Sequence, residues 1–286
     1  MNLRRITHRD IGWHDRFFAF VDGVFRAGST FRGWRDLGGW HPGYEVFAIE
    51  QDDEIVSTVG RERLQLVIER KPIEGHQLGA VATRADRRGQ GLSRRLLTSV
   101  LDEVGDRPVI LFANPQVLDF YPRFGFTRLM QKRFAADIEI TPATPAPTLD
   151  IDNAGDRAWL ENLCRRASAP GSILSARRYY PTLLWHLIYK PVPVFRLDGD
   201  TAVVASTAGD GLILHDVIAV RRFDLQAALP RLTSGWIQRV EFGFGPEECW
   251  PSATPSLADD ADTHFFARSL PSLPTGPFRF PDLAQT

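Results

Sequence analysis

The segment Val81-Ala82-Thr83-Arg84-Ala85-Asp86-Arg87-Arg88-Gly89-Gln90-Gly91-Leu92-Ser93-Arg94-Arg95-Leu96-Leu97 constrains the chain most. A short strand of small residues runs into a loop with two glycines one residue apart, and the loop opens a helix. Glycines at such a junction let backbone N–H groups converge on one point, where the positive end of the helix favours an anion. Arg87 and Arg88 add charge-assisted donors beside it. A pyrophosphate cradle has this pattern, and so does a plain tight strand-to-helix connection. A dinucleotide-binding loop fits less well, because Gly89-x-Gly91-x-x-Arg94 lacks a third glycine and Asn114 stands where an acidic ribose ligand would end the next strand.

Periodicity around this segment predicts a mixed α/β chain. Trp13, Phe17, Phe20, Val21, Val24 and Phe25 recur at helical spacing, predicting a helix over 13–27. Residues 28–43 read as a Gly/Trp-rich loop, long enough for Phe31, Trp34 and Trp40 to serve a lid or an acceptor pocket. Strands are expected at 44–49, 55–59 and around Leu64, Leu66 and Ile68, with a break at 71–75 and a further strand at 77–83. Leu92, Leu96, Leu97, Val100, Leu101 and Val104 line one helical face, and 108–113 is an apolar run of the kind covered on both sides of a sheet. A short helix from Pro115 and a strand over 126–140 complete a first unit.

The proline-spaced stretch 141–149 reads as an extended linker. Beyond it the order is helices at 158–167 and 176–188, strands at 192–197, 201–206 and 212–220, a helix at 225–232 and a strand at 240–244. Element order alone makes this a repeat of the first half. The expected division is a first domain at 1–140, the linker at 141–149, a second domain at 150–270 and a tail at 271–286.

Composition narrows the function classes. With 34 Lys+Arg against 35 Asp+Glu the formal charge is −1, and no block of like charge suggests a nucleic-acid partner. No apolar run reaches spanning length and no signal-peptide pattern opens the chain, so no membrane partner and a cytoplasmic location are expected. Cys164 and Cys249 build no disulfide framework, and His186, His215 and His264 have no ligand spacing, so no metal is expected.

Arg88-Gly89-Gln90-Gly91-Leu92-Ser93 resembles the R/Q-x-x-G-x-G/A acyl-CoA signature of the GNAT superfamily of N-acyltransferases, with serine at the last small position. Asn114-Pro115-Gln116-Val117-Leu118-Asp119-Phe120-Tyr121-Pro122-Arg123-Phe124-Gly125-Phe126 resembles the second signature of that family, and the two stand in the family's order. The resemblance covers roughly residues 1–140. The Val81-Ala82-Thr83 phrase, the two-unit arrangement and the tail Phe278-Arg279-Phe280-Pro281-Asp282-Leu283-Ala284-Gln285-Thr286 are similar to the enhanced-intracellular-survival branch, in which a degenerate GNAT-like domain follows the catalytic one. The further sterol-carrier-like domain of that branch is not expected, since only a short tail follows about Leu270.

The resemblance implies tandem GNAT-like domains and acetyl-CoA as acyl donor to a primary amine. It implies that Val81, Ala82 and Thr83 pair with the pantetheine arm, with the Val81 N–H polarising the thioester. Arg87, Arg88, Gly89, Gln90, Gly91, Leu92 and Ser93 would then hold the pyrophosphate, Asn114 would support the cofactor arm, and Tyr121 would protonate the departing thiolate. In the same branch a C-terminal carboxylate reaches the active site, which gives Thr286 a role. Read without the resemblance, Tyr121 is a packing aromatic and Asn114 a helix cap. Glu50, Glu62, His76 and Asp36 all lie in segments that could border the acceptor cleft, and none is singled out as base. The resemblance implies a small-molecule or peptide amine as acceptor, and homo-oligomerisation stays open. The alternative function is a non-enzymatic acyl-CoA-binding sensor or interaction module. In the second unit, Arg221-Arg222-Phe223-Asp224 follows the strand without a glycine, so its backbone is not expected to cradle CoA.

Overall fold

Alternating apolar residues in the first half form antiparallel strands in the computed structural model, which describes residues 2–258 and 263–286. β1 (Asn2–Ile6) leads to α1 (Ile11–Phe25) and α2 (Gly28–Asp36), followed by β2 (Tyr44–Gln51), β3 (Glu54–Ile68) and β4 (Lys71–Thr83). The expected loop at 28–43 is therefore largely a helix. α2 buries Trp34 and Thr30, and Trp40 stacks on His14 at 4.0 Å, so Trp34 and Trp40 belong to the core rather than to a lid. Phe31 packs edge-on against Phe17 at the margin of this cluster.

β3 is continuous where two shorter strands were expected, and β4 begins at Lys71, running through the expected break at 71–75. Glu69 and Arg70, at φ +47° and +66°, form the two-residue turn between them. Such turns usually carry Asn or Gly, and their absence hides the hairpin from sequence. Asp52 and Asp53 turn β2 into β3 in the same way, at φ +52° and +63°.

α3 (Leu92–Val104) lays its apolar face on this sheet, and β5 (Val109–Ala113) runs parallel to β4. The expected strand over 126–140 is instead two strands in different sheets. β6 (Thr127–Arg128) stays with the first sheet, while β7 (Lys132–Ile140) crosses to the second. The second half continues with α4 (Ala154–Arg166), β8 (Leu174–Arg177), α5 (Tyr180–Tyr189), β9 (Val194–Arg196), β10 (Thr201–Ala208), β11 (Gly211–Ala219), α6 (Leu225–Ala228) and β12 (Ile237–Phe242). The expected helix at 176–188 begins only at Tyr180. Leu174–Arg177 pairs with β3 instead, extending the first sheet.

Two strands with no counterpart in the sequence reading, β13 (Thr254–Leu257) and β14 (His264–Arg268), complete an exchange. β14 inserts between β5 and β6 in the first sheet, and β7 inserts between β12 and β13 in the second. Each half thus lends a strand to the other's sheet, so the sheets do not separate at the proline-rich stretch. That stretch lies along the second sheet: Ala143 and Ala146 donate to the carbonyls of Pro230 and Arg231, and Ala146 is buried.

The second half repeats the first in pairing. β11 runs parallel to β12 as β4 does to β5, and each pair is flanked by an antiparallel strand from the other half. Among the described residues no helix is long and apolar enough to cross a membrane.

Candidate active site

β4 and β5 are paired only at His76–Leu78 with Val109–Leu111, after which both strands continue apart. The cause is local. Ala80 has φ +47°, and the β3–β4 register shifts between Thr58 and Gly60, so β4 bulges at Gly79–Ala80. Thr58 Oγ1 donates to the Ala80 carbonyl at 2.6 Å and Ser57 Oγ to that of Ala82 at 2.9 Å, which fixes the bulged backbone from the β3 side. Toward β5, residues 79–83 have no strand partner. A bulge that opens a cleft in this way presents main-chain donors and acceptors to a ligand.

The cleft ends at the glycine loop. Gly89 and Gly91 have φ +76° and +73°, where other residues are strained, and a Cβ at either would meet no protein atom within 4 Å. These glycines are thus required by backbone conformation, and they face open space in front of the α3 N-terminus. No acidic side chain lies in the first turn of α3 to neutralise its free N–H groups. Ser93 Oγ lies 2.6 Å from Thr83 Oγ1, which lies 2.8 Å from Ser57 Oγ. This hydroxyl chain ties the end of β4 to the first turn of α3 and gives Ser93 a task that glycine or alanine could not perform.

Arg88 Nε donates to the Thr83 carbonyl at 3.4 Å. Arg87 Nε is buried without a hydrogen bond, 3.6 Å from Asp86 Oδ2. Gln90 is exposed, Leu92 packs under α3, Val81 is partly buried on the α3 side of β4, and Ala82 is buried on the opposite face.

Tyr121 opens a single helical turn, Tyr121–Phe124, after β5. Its ring is buried against Phe120 at 5.3 Å, Phe126 at 6.0 Å and Phe266 of the exchanged strand β14 at 5.7 Å. Its hydroxyl has no hydrogen-bond partner among the described residues, and burial pushes its pKa up to about 12. The phenol therefore keeps its proton at neutral pH. Asn114 caps the turn after β5, accepting from the Gln116 N–H at 3.2 Å, and is exposed.

The tail reaches β4 from the second half. Phe278, Phe280, Leu283 and Ala284 are buried, and Gln77 Nε2 donates to the Ala284 carbonyl at 3.1 Å. His186 Nε2 donates to the Gln285 carbonyl at 2.7 Å, and burial lowers the pKa of this imidazole. Thr286 sits on the bulge. A Cβ added to Gly79 would lie 2.6 Å from Thr286 Oγ1 and 3.2 Å from its carbonyl carbon. Across the strand, a Cβ on Gly60 would meet the Tyr44 hydroxyl at 2.8 Å. That hydroxyl is raised well above the ordinary phenol range by burial and the nearby Glu62 carboxylate.

Glu62, Glu50, Asp36, His215 and His264 have structural partners, whereas the buried His76 Nδ1 has no hydrogen bond. Glu62 is buried, accepting from Thr182 Oγ1 at 2.9 Å, with His41 Nε2 3.4 Å away. Glu50 pairs with Arg4 and Asp36 with Arg35. Buried His76 is lowered to about 4 by desolvation and then by neighbouring arginines, so it stays neutral. His215 bonds Ser206, and His264 bonds Arg128. Among the described residues no group of His, Cys, Asp and Glu is arranged to hold a metal ion. The sequence reading missed Tyr44, Gly79, Gln77 and His186, which meet the cleft or the tail only through long-range packing.

The profile described as "Acetyltransferase (GNAT) domain" matches residues 3–129. Residues 3–129, somewhat under half of the chain, are thus similar to a GNAT acetyltransferase domain. UPF0039 protein Rv2851c of Mycobacterium tuberculosis is 42% identical over 52 residues, 18% of this chain and 33% of that protein. The chain thus matches about a third of the length of that curated relative. Eis1 from Mycobacterium abscessus aligns over 92% of this chain and 72% of its own at TM-score 0.60 and 14% identity. A probable N-acyltransferase from Enterococcus faecalis V583 covers 93% and 72% at 0.60 and 14%. A GCN5-related N-acetyltransferase from Kribbella flavida covers 93% and 70% at 0.59 and 15%. These likenesses extend the GNAT fold across both halves of the chain, in agreement with the repeated strand pairing.

Proposed function

We propose that the protein transfers an acetyl group from acetyl-CoA to a primary amine of a small molecule or peptide, by direct attack of the amine on the thioester. One observation carries this reading: β4 and β5 part at a bulge immediately ahead of the Gly89–Gly91 loop, so main-chain groups and an anion-favouring helix end share one cleft. In this reading residues 81–83 align the acyl arm, the 87–93 loop holds the pyrophosphate, and Asn114 borders the arm. The donor substrate supplies an activated acyl carbon; the chain supplies orientation, an oxyanion donor from the β4 backbone, and protons.

As the C–N bond forms and the C–S bond breaks, the sulfur takes up the bonding pair and the Tyr121 hydroxyl delivers a proton to it. A buried phenol held protonated by desolvation suits that task. The ammonium proton must leave on the other side of the strand. A chain that ends at Thr286 carries an α-carboxylate beside Gly79, on the face where Tyr44 and His186 also converge, and that carboxylate is the proposed acceptor of the proton.

Release of CoA thiol is measured with a panel of primary amines, for the wild type and for Tyr121→Phe. Amine-dependent release that collapses in the variant supports the reading. No release with any amine, despite saturable acetyl-CoA binding, would favour a sensor.

A further inference from the structure

The cleft of the second half repeats that of the first in geometry but differs in its chemistry. β11 pairs with β12 only over Gly211–Leu214, and its register with β10 shifts at His215, the same bulge-and-part arrangement as β4 with β5. Past the bulge, Val217 and Ala219 face the α6 side of the sheet, as Val81 and Thr83 face α3. A cavity of about 350 Å³ opens at this point, within the range of small-ligand sites. Its far wall is not from the second half: Val67, Arg70 and Pro72 at the tip of the β3–β4 hairpin close it.

Four arginines line the cavity, Arg70, Arg177, Arg221 and Arg222, against one carboxylate, Glu248. Arg70 reaches Glu248 Oε1 at 2.8 Å and Arg222 pairs with its Oε2, so two guanidinium groups already converge on a carboxylate at the rim. Arg177 donates from Nε to the Ala167 carbonyl at 3.2 Å and has no carboxylate partner among the described residues. Arg221 is likewise without an ion pair among them. Val67, Val217 and Phe223 give the cavity apolar surface between these charges.

We infer that this cavity is a second ligand site that binds a small organic dianion, of phosphate-monoester or dicarboxylate chemistry, through arginine side chains. Guanidinium forks match both oxyanion geometries and remain charged at any physiological pH. The loop from β11 to α6 has no glycine, so side chains here take the place of the backbone cradle in the first half. Four guanidinium charges against the single Glu248 carboxylate leave an excess of positive charge in the lining, which favours a charge of −2 over −1, and the apolar surface favours a ligand with a short carbon skeleton. The inference is independent of the acyl-transfer reading.

The test is calorimetric titration of inorganic phosphate, succinate and acetate into the full chain, the Arg177→Ala/Arg221→Ala variant and Glu248→Gln. We expect phosphate or succinate, and not acetate, to saturate the wild type with a dissociation constant below about 1 mM. Affinity should fall at least about tenfold in the double variant and rise several-fold in Glu248→Gln, where the competing carboxylate is gone. Because a rise in affinity cannot come from misfolding, the glutamate variant guards against that explanation of a loss. The tighter of the two dianions identifies the chemistry, and the contrast between variants separates this cavity from the Gly89–Gly91 loop. The inference is overturned if neither dianion saturates the wild type, or if the variants bind as the wild type does.

Discussion

Gly79→Ala tests whether residue 286 must rest on β4. Gly79 is not in the left-handed region, so alanine there introduces no backbone strain. The added methyl would lie 2.6 Å from Thr286 Oγ1, 2.9 Å from its Cβ and 3.2 Å from its carbonyl carbon. The hydroxyl can rotate away, but the Cβ and carbonyl carbon cannot. Ordinary van der Waals contact begins near 3.4 Å, so residue 286 must retreat by at least a few tenths of an ångström. A 1 Å misplacement of a reacting group costs on the order of 100-fold in rate, so a kcat loss of about 10- to 100-fold is expected. Stability should fall by only about 1 kcal/mol, the low end for overpacking, because a terminal residue can yield. Thiol release at saturating acetyl-CoA reads kcat, and thermal melting reads stability. Adding Thr286→Gly, which removes the two closest contacts, should recover part of the lost rate. A Gly79→Ala enzyme with kcat within twofold of wild type would refute the reasoning.

Tyr121→Phe should lower kcat by about 100-fold or more, in line with the loss of a general acid, with acetyl-CoA affinity changed less than about threefold. Its pKa near 12 also predicts no fall in kcat from ionisation of this phenol between pH 7 and 10. Asp216 is fully buried, accepts from the Tyr179 hydroxyl at 2.7 Å, and is pushed up to about 7 by desolvation. A carboxyl whose folded pKa is raised holds its proton more tightly when folded, so stability is lost as pH rises from about 4 through about 7. Asp216→Asn should therefore raise the melting temperature relative to wild type more at pH 8 than at pH 5; an equal shift at both would contradict the assignment.

Much of the cleft was legible because its residues are close in sequence. The glycine pair, Ser93 and the Asn114-to-Tyr121 spacing are local signals, and the structure accounts for the glycines by their positive φ values and for Ser93 by its bond to Thr83. α2 was not legible because its nine residues include two glycines, which weaken helix propensity; it forms by burying Trp34 and Thr30. The β3–β4 hairpin was obscured by a turn of Glu69 and Arg70 that lacks the usual turn residues. The exchange of β7 and β14 could not be read at all, since periodicity marks a strand without naming its partner. Tyr121 depends on that exchange, as Phe266 of β14 packs its ring. Gly79 beneath Thr286 belongs to the same class of long-range contact: either residue alone reads as a small strand residue or a polar chain end.

The central claim is that the β4–β5 cleft and its glycine loop hold an acyl-CoA. Calorimetric titration of acetyl-CoA into the wild type and into Arg88→Glu/Gly91→Val tests it most directly. A β-branched residue at φ +73° cannot keep the loop in place, and glutamate reverses the charge beside it. Saturable one-site binding to the wild type that disappears in a variant with an intact fold is the predicted result. Wild-type protein that does not bind acetyl-CoA, or a variant that binds it equally well, would contradict the account.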